Sequence, residues 1–228
     1  MYKNNSVNLM GFWLAIIATV STLLFALFFV LYMGSIPAEW SGVNAYIESF
    51  NQNLYLGWVI PCLILSLTFP LLSLCICFIT KKEKIVFALA GLMFAVMYGG
   101  ILSANYFELA TVFRSAILEQ HTEALEWFII GSPLSITNSL EGAGYGFMSL
   151  SFLFSGLAFT GTGIFRAVRW LLILNGVSGL LGVLLTILSF TVISMISLAV
   201  WCITFPMGMI MIALIFAKEK RLQNDYFK

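Results

Sequence analysis

The sequence predicts an all-α fold: a polytopic transmembrane bundle of six helices, N-in/C-in, with amphipathic helices in the outer connections 1-2 and 3-4. Three observations lead there. First, 61% of the 228 residues are hydrophobic and only 9% are charged, whereas a soluble domain is about 25% charged. A globule of this size cannot hide that much apolar surface, so most of it has to face lipid. Second, six charge-poor runs each reach the ~20 residues that a helix needs to cross about 30 Å of hydrocarbon. Third, the cations sort to one side of a six-crossing scheme. The ~10-residue alternating segments of an outer-membrane barrel are absent, and a helix satisfies its own backbone hydrogen bonds in lipid.

The chain reads as a single transmembrane domain, 1–228, with spans at about 9–33, 54–80, 85–106, 140–165, 167–190 and 192–217. The first run is uninterrupted for about 25 residues. That exceeds the ~7–15 of a signal-peptide core, so the helix is expected to be retained rather than cleaved near Ala38. Lys3, Lys81, Lys82, Lys84, Arg166, Arg169, Lys218, Lys220, Arg221 and Lys228 all fall on one side. The excess of cations marks the cytoplasmic face, which places the protein in the cytoplasmic (plasma) membrane of a prokaryote with both termini inside. Glu39, Glu48, Glu108, Glu119, Glu123, Glu126 and Glu141 fall on the other side, with Arg114 as its only Lys or Arg. A net charge of +1 provides no field for nucleic acid.

Two outer connections are long enough to carry structure. In the first, Trp40, Val43, Ile47 and Phe50 recur at helical steps, the pattern of an interfacial or capping helix. In the second, Tyr106, Leu109, Phe113, Ala116 and Ile117 share one face, and Glu108, Thr111, Ser115 and Glu119 the other. Span three is therefore expected to continue as an amphipathic helix to about Gln120. Thr122 is placed to cap a further short helix through Ile130, which Gly131 and Pro133 break.

Candidate site residues cluster around this outer end. Arg114 can staple to Glu141 through a bidentate pair, or hold a ligand carboxylate or lipid phosphate. Glu141 can also close a capping box, since Asn138 stands three residues before it. Glu108 matters if it faces the bundle, because buried charge in a membrane is costly. Asn105 and Asn175 are intramembrane amides suited to bonding between helices. Gly142 and Gly146, and Gly176, Gly179 and Gly182, offer close helix contacts. Pro61, Pro70 and Pro206 are candidate kinks. His121 reads as a solvated loop residue, and Cys62, Cys75, Cys77 and Cys202 as packing residues without metal spacing.

The stretches "AYIESFNQNLYLGW", "FELATVFRSAIL" and "SLEGAGYGFMSLSFLF" carry a resemblance. Glu108, Leu109, Val112, Arg114, Leu140, Glu141, Gly144, Tyr145, Met148 and Ser149 match a pattern in which a polar residue and Leu precede Val-x-Arg, then Leu-Glu-x-x-Gly-Tyr and Met-Ser. Over residues 45–155 the chain resembles an uncharacterised family of small six-helix prokaryotic integral membrane proteins (a domain of unknown function). Members of that family often carry an amide in place of Glu108 and a proline in place of Ser115. The resemblance implies six helices and a shared Arg114–Glu141–Tyr145 region, and brings no activity.

Two function classes follow. One is a non-enzymatic small-molecule or lipid-binding, transporter-like or regulatory protein with a polar cluster at the extracytoplasmic side, comprising Arg114, Glu141, Glu108, Tyr145 and Asn105. Its partners would be membrane lipids, a small-molecule or lipid ligand and a homo-oligomer, with no cofactor and no metal. The alternative is an intramembrane enzyme acting on a lipid at the outer leaflet, with Glu108 or Glu141 as acid or base and Arg114 neutralising charge. The sequence has no nucleophile–base motif, metal constellation or phosphate loop, and so leans away from the enzyme.

Overall fold

The structure, a computed structural model, describes residues 5–37, 39–188 and 191–226, and the side chains of these apart from 191–195 and 220–226. The expectations at Lys3, Ala38, Phe190, Lys220, Arg221 and Lys228 lie outside what is described. The described residues form helices joined by short connections, with no strand. They form α1 (Asn5–Met33), α2 (Val43–Ser49), α3 (Gln52–Ile79), α4 (Ile85–Glu108), α5 (Arg114–Leu118), α6 (Ile136–Ala158), α7 (Ile164–Ile187) and α8 (Thr191–Tyr226). A π-turn over Leu109–Phe113 joins α4 to α5 without a break.

Five helices are long and apolar enough to cross a membrane: α1, α3, the continuous Lys82–Leu118 rod, α7 and the Ile196–Glu219 part of α8. Helix α6 corrects the expected span at 140–165. It starts one turn earlier and stops at Ala158, where residues 159–163 leave the helix. Its 23 residues would extend about 35 Å, but Glu141 and the serines dilute its apolarity. Those polar groups face neighbouring helices: Thr137, Ser149, Ser151 and Ser155 are all buried.

The six long helices close into a ring. Each packs on the next in the order α1, α3, α4, α6, α7, α8, and α8 returns to α1. Phe216 of α8 abuts Gly11 of α1, so the start of the first helix and the end of the last lie at the same end of the ring. The ring is filled with aromatic side chains. Phe69 of α3 packs edge-on against Tyr98 of α4 (5.6 Å) and Phe152 of α6 (5.3 Å), and Trp201 stacks on Phe205 of α8 (5.0 Å). The outside is apolar as well: Val30, Met93 and Ile187 are 70%, 69% and 72% exposed. Such a belt is costly in water and stable in hydrocarbon.

Local chemistry sets the helix ends and contacts. Asn51 caps α3, its side chain accepting from the amides of Asn53 and Leu54. Pro70, inside α3, cannot donate to the Ser66 carbonyl one turn back. Gly99 of α4 fits against that carbonyl and the proline ring, where a Cβ would stand 2.8 Å from the Ser66 oxygen. Gly176 and Gly179 of α7 receive Ser149 and Leu153 of α6, and Gly182 receives Ser197 of α8. Gly142 and Gly146 do not make the close contact expected of them: a Cβ on Gly142 would meet nothing within 4 Å. Asn175 joins α7 to α8, accepting from the Thr204 hydroxyl (2.8 Å) while donating to the Leu171 carbonyl (2.9 Å).

Candidate functional site

The register of α6 is set by Ser135, whose hydroxyl accepts from the Asn138 amide at 3.1 Å. The helix therefore begins before Asn138, and the capping box expected at Asn138–Glu141 does not form. Glu141 sits in the second turn, past the free amides that a cap would serve. Thr137, Glu141 and Tyr145 then follow at four-residue steps along one face.

That face turns into the ring. The Glu141 carboxyl faces the Tyr106 hydroxyl of α4. The Tyr106 hydroxyl meets the Tyr145 hydroxyl at 3.1 Å, and the buried Cys62 thiol of α3 lies in the same core. Tyr55, Cys62, Tyr98 and Tyr145 all lie within electrostatic reach of the carboxyl. Trp58 closes one side, edge-on to Tyr106 at 6.2 Å, and Trp201 the other, edge-on to Tyr145 at 5.8 Å. Three further donors are buried in the same aromatic core without a protein partner: Trp58 Nε1, Tyr98 Oη and Trp201 Nε1. Among the described residues no cation approaches Glu141 within 4.0 Å. The described residues hold one ion pair, between the exposed Glu119 and His121 at 3.4 Å.

The outer connections form a roof over this cluster. In the π-turn, where the helix is locally widened, the Leu109 carbonyl accepts from the Tyr55 hydroxyl (3.4 Å) and the Ala110 carbonyl from Arg114 Nε (3.0 Å). Leu109, Phe113 and Ile117 are buried beneath it, the face expected from their spacing. Helix α2 forms, and Trp40, Val43, Ile47 and Phe50 do pack on the core. Its most buried residue, however, is Tyr46, which hydrogen-bonds the Tyr32 hydroxyl and packs on Phe113. Burial holds the Tyr46 phenol above its ordinary range, with the Tyr32 bond opposing. The expected helix from Thr122 to Ile130 shrinks to one 3-10 turn, Leu125–Trp127.

The structure brings together Glu141 and Tyr145. Asn105 is buried nearby on the Tyr106 turn, its Nδ2 without a protein partner. It does not join Arg114 to Glu141: no ion pair forms within 4.0 Å, and Arg114 bonds its own helix instead. Glu108 is half-buried at the end of α4, also without an ion pair. Sequence reasoning missed Cys62, Tyr98, Tyr106's hydroxyl, Trp58 and Trp201. Their signal was the four-residue step from Trp58 to Cys62 and from Trp201 to Phe205, with a polar atom in each apolar stripe.

The cluster offers one carboxyl, several hydroxyl and indole donors, and walls of aromatic rings. That combination can hold a small molecule by its polar groups while the rings exclude water. No group of three or more His, Cys, Asp or Glu side chains among the described residues is arranged to hold a metal ion. No protein-family model, curated protein or solved structure matches the chain.

Proposed function

We propose that this is a six-span protein of the prokaryotic cytoplasmic membrane, with both termini inside, that binds a small molecule or lipid within its helix ring as a transporter-like or regulatory protein. The observation that carries the reading is Glu141. A carboxyl turned into a membrane bundle, with no cation beside it, is expensive to keep and marks a functional site by default. The three unpartnered donors in the same core add groups that a ligand's acceptor atoms would satisfy. The even ring of long helices, with Lys81, Arg166 and Lys218 toward the end where α1 starts and α8 finishes, supports six crossings and cytoplasmic termini.

The catalytic alternative has less support. It requires Arg114 to neutralise charge beside Glu108 or Glu141, and Arg114 pairs with neither. The test is gentle purification followed by native mass spectrometry and high-resolution density. A retained molecule contacting Glu141 and Tyr106, lost in Glu141→Gln and kept in Arg114→Ala, is the expected result. Retention that Glu141→Gln leaves untouched overturns the reading.

A further inference from the structure

We propose a second site at the opposite end of the ring, which takes the headgroup of a zwitterionic phospholipid of the phosphoethanolamine type. A cavity of about 260 Å³ opens there between the ends of α3, α6 and α8 and the start of α7. This volume is close to the ~300 Å³ lower bound of small-ligand pockets. Lys81 and Glu219 both line it, yet they form no ion pair within 4.0 Å. Two opposite charges that line one cavity without pairing complement a ligand that carries both signs.

The two halves of the headgroup have separate partners. Lys81 matches the phosphate. Glu219 matches the ammonium. Phe159, Phe165 and Ile215 line the apolar remainder, where a glycerol backbone and the first methylenes would lie. An anionic headgroup would leave Glu219 opposed. A choline headgroup has no N–H to donate to it. The site sits at the end of the ring carrying Lys81, Lys82 and Lys84, the level of a leaflet's headgroups. It depends on the membrane reading and is independent of Glu141.

The experiment titrates the purified full chain with phosphatidylethanolamine, phosphatidylcholine and phosphatidylglycerol of identical acyl chains, and reads occupancy by native mass spectrometry. Phosphatidylethanolamine is expected to bind about tenfold tighter than the other two, the scale of one charge-assisted hydrogen bond. Glu219→Gln should bring it level with phosphatidylcholine. Lys81→Gln should weaken both, and since Lys81 is exposed the thermal midpoint should hold. Equal or tighter binding of phosphatidylglycerol overturns the proposal, as does a preference that survives Glu219→Gln. Soluble glycerophosphoethanolamine binding as tightly as the lipid would make the ligand a free metabolite and overturn it too.

Discussion

Tyr106 and Tyr145 meet hydroxyl to hydroxyl at 3.1 Å across the α4–α6 contact, with the Glu141 carboxyl one turn before Tyr145 on α6. The two hydroxyls are each other's hydrogen-bond partners in the buried core, so removing one strands the other.

Tyr106→Phe and Tyr145→Phe should therefore be non-additive. Each single change is expected to cost about 1–2 kcal/mol by stranding a buried partner. The double variant should cost less than the sum, by at least about 0.5 kcal/mol, since the second change removes a group already stranded. Thermal or denaturant unfolding in a fixed detergent reads the cycle, and strict additivity would break the proposed link between the two hydroxyls.

Glu141→Gln should stabilise the protein while abolishing ligand retention. The amide keeps the shape and a hydrogen-bonding group at this position, and removes a carboxyl whose charge the membrane interior penalises. Sites kept for binding are commonly held at the expense of stability. A gain of about 1 kcal/mol would lift the thermal midpoint by roughly 2–4 °C for a chain of this size. A lower midpoint would mean that Glu141 is a structural element.

The all-α class and its long apolar helices were legible because lipid imposes a simple rule on composition and length. The end of α6 was not, since residues 159–165 are apolar by composition yet 159–163 turn, with positive φ at Gly161 and Gly163. Glu141 and Tyr145 were legible as polar residues out of place. Arg114 stood out for the same reason, but its charge is met by the Ala110 carbonyl of its own helix, a partner that periodicity does not reveal. Cys62, Trp58 and Trp201 look like packing in a sequence because their apolar surface is packing. Only the three-dimensional closure of α8 onto α1 brings Trp201 into the core that Cys62 and Trp58 share.

Gly99 and Gly100 are neighbours in sequence and opposites in consequence. A Cβ on Gly99 would stand 2.8 Å from the Ser66 carbonyl oxygen, while one on Gly100 would meet nothing within 4 Å. Gly99→Ala is expected to cost about 1–3 kcal/mol through overpacking against backbone. Gly100→Ala should be neutral or stabilising by up to about 1 kcal/mol, the helix-propensity difference. Equal midpoints for the two variants would contradict the α3–α4 packing described here.

Tyr46 should govern access to the core from the outer end. Its side chain is the most buried of α2 and is latched to Tyr32 and Phe113. Tyr46→Ala is expected to speed modification of Cys62 by a small thiol reagent by at least about tenfold, because local opening exposes what the roof covers. Replacing Cys75, Cys77 and Cys202 by serine isolates the signal, and an unchanged rate would show that reagent reaches the cluster by another path.

Thiol mapping also tests the placement in the membrane. The turn at Lys81–Lys84 and the outer turn at Gly131 lie at opposite ends of the ring, α4 with its π-turn and α5 spanning the interval. Cysteines substituted at Gly131 and at Lys82, each in a chain otherwise cleared of thiols, should respond oppositely to a membrane-impermeant maleimide added to intact cells. On the proposed topology, with the cation-rich turns in the cytoplasm, Gly131→Cys is expected to label from outside and Lys82→Cys only after the cells are opened. Labelling of both from one side would mean that the rod from Lys82 to Leu118 does not cross, and the ring would then have to be placed differently relative to the bilayer.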